Sequence, residues 1–204
     1  MINKEFEVLA LHFLSQLNRN IESLLYLIKS NPKDLDKYLY TLSNNSKRLA
    51  RYISQIELIN KLKPYTINPS SFNISSVISE IERDYPEVVW QIRNLYIKTD
   101  RFLLKEMLCQ LIDNSYKFKE DLNIRIDINK NKSCIYIELI DSGIGIDKSF
   151  VDFLYQPFKR EDVNKGIGLG LFIVKNIVCR LQGSISITLL EKGLKVNIKI
   201  KNYE

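Results

Sequence analysis

The stretch Gly166-Ile-Gly-Leu-Gly-Leu-Phe-Ile-Val-Lys175 sets three alternate glycines at the mouth of an apolar, helix-forming segment. Free backbone N–H groups and the positive end of the helix dipole at such a mouth attract phosphate. Glycine is entropically costly in regular structure and is retained where the chain turns tightly or approaches a ligand. The chain has only 7 glycines, and Gly143, Gly145, Gly166, Gly168 and Gly170 fall close together. Upstream, Asp141-Ser-Gly-Ile-Gly-Ile146 follows the alternating run Ile135, Ile137, Leu139, so Asp141 closes a strand just before a glycine loop. A carboxylate there is placed to accept hydrogen bonds from a ring amine. Asn114 and Lys117 lie three apart on one helix face, pairing a neutral oxygen donor with a cation. Mg²⁺ takes hard oxygen ligands together with phosphate oxygens, and Asn114 supplies one such oxygen.

Around these segments the pattern predicts an α+β domain. Ile74 to Tyr85 reads as a helix, Trp90 to Ile97 as a strand, and Phe102 to Phe118 as a strong amphipathic helix. Ile124, Ile126, Ile128 and Ile135, Ile137, Leu139 flank the polar turn Asn129 to Lys132 as a hairpin. A helix from the glycine run to about Leu181, then strands through Ile185, Ile187, Leu189 and Val196, Ile198, Ile200, complete a mainly antiparallel sheet with helices on one face.

The N-terminal part is helical throughout. Phe6, Ala10, Phe13, Leu14, Leu17, Ile21, Leu24 and Ile28 keep helical spacing up to Ser30-Asn31-Pro32. A second helix carries two seven-residue series, Leu35, Leu42, Leu49, Ile56 and Tyr38, Asn45, Tyr52, Ile59. The pair predicts an antiparallel hairpin whose wide apolar stripes call for a homodimer, closing a four-helix bundle. Pro64 and Pro69 mark the boundary. The expected organisation is a helical hairpin over 1–63, a linker over 64–72 and a second domain over 73–204.

With 204 residues, 45% hydrophobic and 26% charged, the chain suits a folded protein and excludes a disordered or collagen-like one. No apolar run nears the ~18–20 residues of a membrane span, and MINKEFEVLA lacks a signal-peptide core. Three isolated cysteines and one histidine argue against structural zinc and for a reducing, cytoplasmic setting. The net charge of +6 is interspersed, which does not argue for nucleic acid. There is no GxxxxGK[ST], no βαβ unit around the glycine run and no His-Arg-Asp, which excludes P-loop, Rossmann and protein-kinase readings.

Four boxes in order resemble those of sensor histidine kinases: Gln110-Leu-Ile-Asp-Asn-Ser-Tyr-Lys the N-box, Asp141-Ser-Gly-Ile-Gly-Ile the G1 box, Tyr155-Gln-Pro-Phe-Lys-Arg the F-box, and Gly166-Ile-Gly-Leu-Gly-Leu-Phe-Ile-Val-Lys the G2 box. The helical hairpin resembles the dimerisation and phosphotransfer domain of the same family. The resemblance implies a Bergerat-type α/β sandwich that binds ATP and Mg²⁺. It implies that Asn114 holds Mg²⁺, Asp141 reads the adenine amine, Lys117 sits near the phosphates, and Gly143 and Gly145 shape the adenine pocket. Gly166, Gly168, Leu169 and Gly170 would line the phosphate side, Phe158 to Ile167 would form a lid, and Arg160 would stabilise charge on the γ-phosphate.

His12 is the only histidine and matches the family's phosphoacceptor. It lies about 145° from the centre of the first helix's apolar stripe, on the solvent side. The family usually places an acidic residue directly after this histidine and a proline a few positions later; here Phe13 and Leu17 stand there. The N-box begins with Gln110 where asparagine is common and has no glutamate to activate water, which disfavours simple hydrolysis. The resemblance thus implies a kinase that autophosphorylates His12 and passes the phosphoryl group to an aspartate on a response-regulator receiver domain, its signal arriving from an upstream sensor. The alternative is an inactive nucleotide-binding switch, or a phosphotransfer relay, that regulates a partner.

Overall fold

Long runs of good helix formers with an apolar stripe fold as helix wherever no proline or glycine interrupts them. The computed structural model describes residues 4–30, 32–92, 95–117, 123–159 and 167–203. Contacts divide the chain into two compact units, residues 1–65 and 66–204. In the first, α1 (Lys4–Ser30) and α2 (Leu35–Leu62) are joined by a 3₁₀ turn at Pro32–Asp34 and pack on each other as a hairpin. Pro32 opens that turn because its ring fixes φ and offers no N–H to continue α1.

The second unit is α+β. It contains β1 (Ser70–Asn73), α3 (Ser75–Glu82), β2 (Val88–Ile92), β3 (Tyr96–Thr99), α4 (Arg101–Lys117), β4 (Ile124–Lys130), β5 (Cys134–Asp141), α5 (Gly170–Arg180), β6 (Ser184–Leu189) and β7 (Leu194–Lys201). Five strands form one sheet in the order β2-β4-β5-β7-β6; β2 runs parallel to β4 and the other pairs are antiparallel. Strands β1 and β3 form a separate antiparallel pair. Ser70–Asn73 is therefore extended and paired, so the irregular stretch after Pro64 ends before residue 70. Trp90 to Ile97, expected as one strand, is two strands in different sheets. The apolar positions mark that change of partner: Val88, Trp90 and Ile92 keep one phase, and Leu95 and Ile97 resume on the other after Arg93-Asn94.

Register accounts for the core. Trp90, Ile126, Leu139, Val196 and Ile187 form one row across the sheet, and Ile92, Ile128, Ile137, Ile198 and Ile185 form the next. Alternate residues point to one face, so both rows contribute to the same layer as the buried Leu103, Leu104, Met107, Leu108, Leu111 and Ile112 of α4 and Ile173, Val174, Ile177 and Val178 of α5. The β4–β5 turn is closed by Asn131, whose Oδ1 accepts from the N–H of Ser133 and of Cys134.

Candidate nucleotide site

The next row of the same sheet reads Val88, Ile124, Asp141, Leu194 and Leu189. A carboxylate thus occupies a core-facing register position among aliphatic neighbours, and Asp141 is only 8% exposed. Burying a charge is unfavourable unless hydrogen bonds hold it. Here the Gly143 N–H donates to Asp141 Oδ1 at 3.0 Å and the Ser115 hydroxyl donates to Oδ2 at 2.8 Å. Each oxygen keeps acceptor capacity for a further donor. Gly193 supports the strand end from the other side: with φ at +85°, a Cβ there would lie 1.8 Å from the Asp141 carbonyl oxygen. Sequence reasoning passed over both Ser115 and Gly193. Gly193 carries a signal, since a glycine after Leu190-Glu-Lys between two alternating runs marks a hairpin turn. Ser115 carries none until the strand end opposite it is known.

One residue before Ser115, Asn114 faces α5. A Cβ at Gly170 would lie 2.4 Å from Asn114 Oδ1 and 2.6 Å from Nδ2. Gly170 is therefore glycine because the amide of Asn114 occupies the space at the start of α5. Asn114 Nδ2 is buried without a hydrogen-bond partner among the described residues. The unpaired Nδ2 is a donor and suits a phosphate oxygen at this helix N-terminus, while Oδ1 is the atom that could meet a hard cation carried by phosphate. Among the described residues no cluster of three His, Cys, Asp or Glu could cage a metal alone. A cation here would share Asn114 with its phosphate ligand. The last turn of α4 thus presents Asn114 to α5 and Ser115 to β5.

The glycine segments are shaped as their residues require. Gly145 adopts φ +77° in the loop after β5, and Gly143 is buried beside Asp141. Gly168 adopts φ +74°, and a Cβ there would lie 2.2 Å from the Lys159 carbonyl oxygen. The Phe158 N–H donates to the Gly168 carbonyl at 3.1 Å, with Phe158 itself at φ 64°. The F-box is thereby stitched to the start of the G2 box. Leu169 caps α5 through its backbone, its carbonyl accepting from the Ile173 N–H, while its side chain is buried. Lys175 of α5 places its Nζ 5.5 Å from the ring centre of Tyr155. Arg160, Gly166 and the central part of the expected lid lie outside the described residues, and Lys117 is described only as the last residue of α4.

The far side of α4 is also polar. Tyr85 donates to Asp113 Oδ1 at 2.8 Å, and burial and that carboxylate together push its phenol well above its ordinary range. Burial also pushes the thiol of the half-buried Cys109 up to about 12, which keeps it protonated and unreactive. His12 belongs to the helical unit and is exposed on α1.

The sequence profile of the family described as histidine kinase-, DNA gyrase B-, and HSP90-like ATPase matches residues 99–204. The autoinducer 2 sensor kinase/phosphatase LuxQ of Vibrio harveyi is 34% identical over 125 residues, 54% of this chain and 15% of LuxQ. The sensor histidine kinase WalK of Bacillus subtilis is 29% identical over 175 residues, 73% of this chain and 29% of WalK. The chain thus spans less than a third of the length of these curated relatives. Among solved structures, the histidine kinase AdeS of Acinetobacter baumannii superposes with a TM-score of 0.75 at 20% identity, covering 95% of this chain and 98% of that one. The histidine kinase ThkA in complex with the response regulator protein TrrA superposes at 0.79 and 19% identity, covering 99% of this chain and 62% of that one. At these identities the two structures speak for the fold.

Proposed function

Since the chain belongs to the family of histidine kinase-, DNA gyrase B-, and HSP90-like ATPases, we propose that it is an ATP-dependent protein histidine kinase that phosphorylates His12 and passes the phosphoryl group to a response-regulator aspartate. The observation that carries this reading is the last turn of α4, where Ser115 engages Asp141 while Asn114 fills the space left by Gly170. An acceptor for a purine amine and an oxygen for a phosphate-bound cation are thus held by consecutive residues.

In this reading Asp141 accepts from the adenine amine, with Gly143 and Ser115 fixing its carboxylate. The backbone from Gly168 to Gly170 approaches the phosphates, and Asn114 holds Mg²⁺. Held there, Mg²⁺ would supply neutralisation of charge on the phosphate oxygens. Lys117, Gly145, Gly166, Leu169 and Arg160 are proposed for the roles expected of them above. An imidazole nitrogen of His12 forms the new N–P bond as the bond to ADP breaks, and the imidazole proton leaves to an acceptor other than Phe13, which has none to offer. Catalysis of this kind is chiefly positioning and charge neutralisation. The exposed Leu11, Leu25, Tyr26, Leu39 and Tyr40 of α1 and α2 support a homodimer through this hairpin. ThkA forms a complex with the response regulator protein TrrA, which supports a receiver domain as the acceptor here. No described helix is long and apolar enough to cross a membrane.

Phe13 favours a second reading, in which nucleotide shifts the helical hairpin for a partner and His12 is inert or receives phosphate from elsewhere. Incubation with γ-labelled ATP and Mg²⁺, beside His12→Ala and Asn114→Ala, separates the two. The kinase reading expects acid-labile, base-stable label that is lost in both variants. Nucleotide binding without label would leave the switch.

A further inference from the structure

The two site residues of α4 lie in its final turn, where backbone carbonyls lack helical partners and ends fray. Something must hold that turn still. On one side it is held by Ser115 against Asp141, and on another by Asn114 against Gly170. On the third side Tyr85 reaches it from the connection between α3 and β2, and Tyr116, in the turn itself, reaches back to Glu87 of that connection. Tyr85 donates to Asp113 Oδ1 at 2.8 Å, and its ring meets that of Tyr116 at 5.5 Å between centroids and 58° between planes. Tyr116 in turn donates to Glu87 Oε2 at 3.1 Å. Tyr85 is itself fixed at both ends of its peptide: its N–H donates to the Ile81 carbonyl of α3, and its carbonyl accepts from the Val88 N–H at the start of β2.

We propose that Tyr85 and Tyr116 are positioning residues that tether the last turn of α4 and so set the Asn114 amide for its cation. The proposal rests on the nucleotide reading of the site. Neither tyrosine belongs to the set that would touch nucleotide. Asp113 is bonded directly to Asn114 along the chain, so a shift of the Asp113 carboxylate turns the amide beside it. Asp141 is placed by β5 and keeps its bond from Gly143 whatever the tether does. Loss of the tether therefore removes cation-dependent affinity and spares the base-recognition contact. A role in stability alone would not divide the two.

The test is calorimetric titration of the full chain with a non-hydrolysable ATP analogue, once with Mg²⁺ and once with EDTA. Tyr85→Phe and Tyr116→Phe remove only the oxygens. Asp113→Ala removes the acceptor, whereas Asp113→Asn keeps an oxygen for Tyr85. The affinity gained from Mg²⁺ is expected to fall roughly tenfold in Tyr85→Phe and Asp113→Ala, the scale of supporting residues behind metal ligands. It is expected to survive in Asp113→Asn, with EDTA affinities unchanged throughout. Equal losses in both conditions, or none, overturn the tether. Absence of binding by the unaltered chain in both conditions overturns instead the nucleotide reading on which it rests.

Discussion

Asp141 is the residue at which the needs of the fold and of a ligand diverge. Its register row is otherwise aliphatic, and an aliphatic side chain would extend the core there. A hydrogen bond to a charged group contributes about 1.5–3 kcal/mol net. Asp141→Asn is accordingly expected to weaken nucleotide binding by at least roughly tenfold, while the thermal midpoint moves little because no charge is left in the core. Titration calorimetry beside a melting curve checks both halves. In the candidate site Asp141 and the glycines were legible because each breaks a local rule: a carboxylate before a glycine pair, glycines at a helix mouth. Asn114, an amide on an amphipathic helix, was legible through its spacing from Lys117 and the resemblance of its box. Ser115 breaks none. A serine in a helix gains meaning only from what stands opposite, and that is fixed by tertiary packing.

Elements depend on ties that alternation does not reveal. Alternating isoleucines placed β4, β5, β6 and β7, and helical spacing placed α3, α4 and α5, because side-chain periodicity follows directly from which face is buried. The β2–β3 stretch reads as one strand only when the shift of apolar phase between Ile92 and Leu95 is passed over, and its pairing partners change across that shift. The α3–α4 contact is likewise polar: Glu80 bridges Arg101 and Lys105, the latter at 2.7 Å. Those hydrogen bonds hold the Glu80 carboxyl down to about 2 from an ordinary 4.5. A depressed carboxylate stabilises the folded state above its unfolded pKa, and that contribution is lost as pH falls through the folded value. Urea unfolding should therefore show Glu80→Gln less stable than the unaltered chain near pH 6. The gap should close progressively between about pH 4.5 and about pH 2. Because the triad is on the surface, added salt should narrow the gap as well.

For the molecule as a whole, the division at residues 65 and 66 separates the proposed phosphoacceptor from the nucleotide site. A fragment spanning 66–204 has its own core and is expected to unfold in one transition, to bind nucleotide as the full chain does, and to take up no label; a fragment that fails to bind would place part of the site in the helical unit. A ligand that binds only the folded form adds RT ln(1 + [L]/Kd) to its stability, about 2.7 kcal/mol at a hundred times Kd. If Asp141 serves nucleotide as proposed, a core that reserves a polar position for a visitor is least secure when the visitor is scarce. Proteolysis of such a chain would slow as adenylate rises, tying its survival to the energy supply around it.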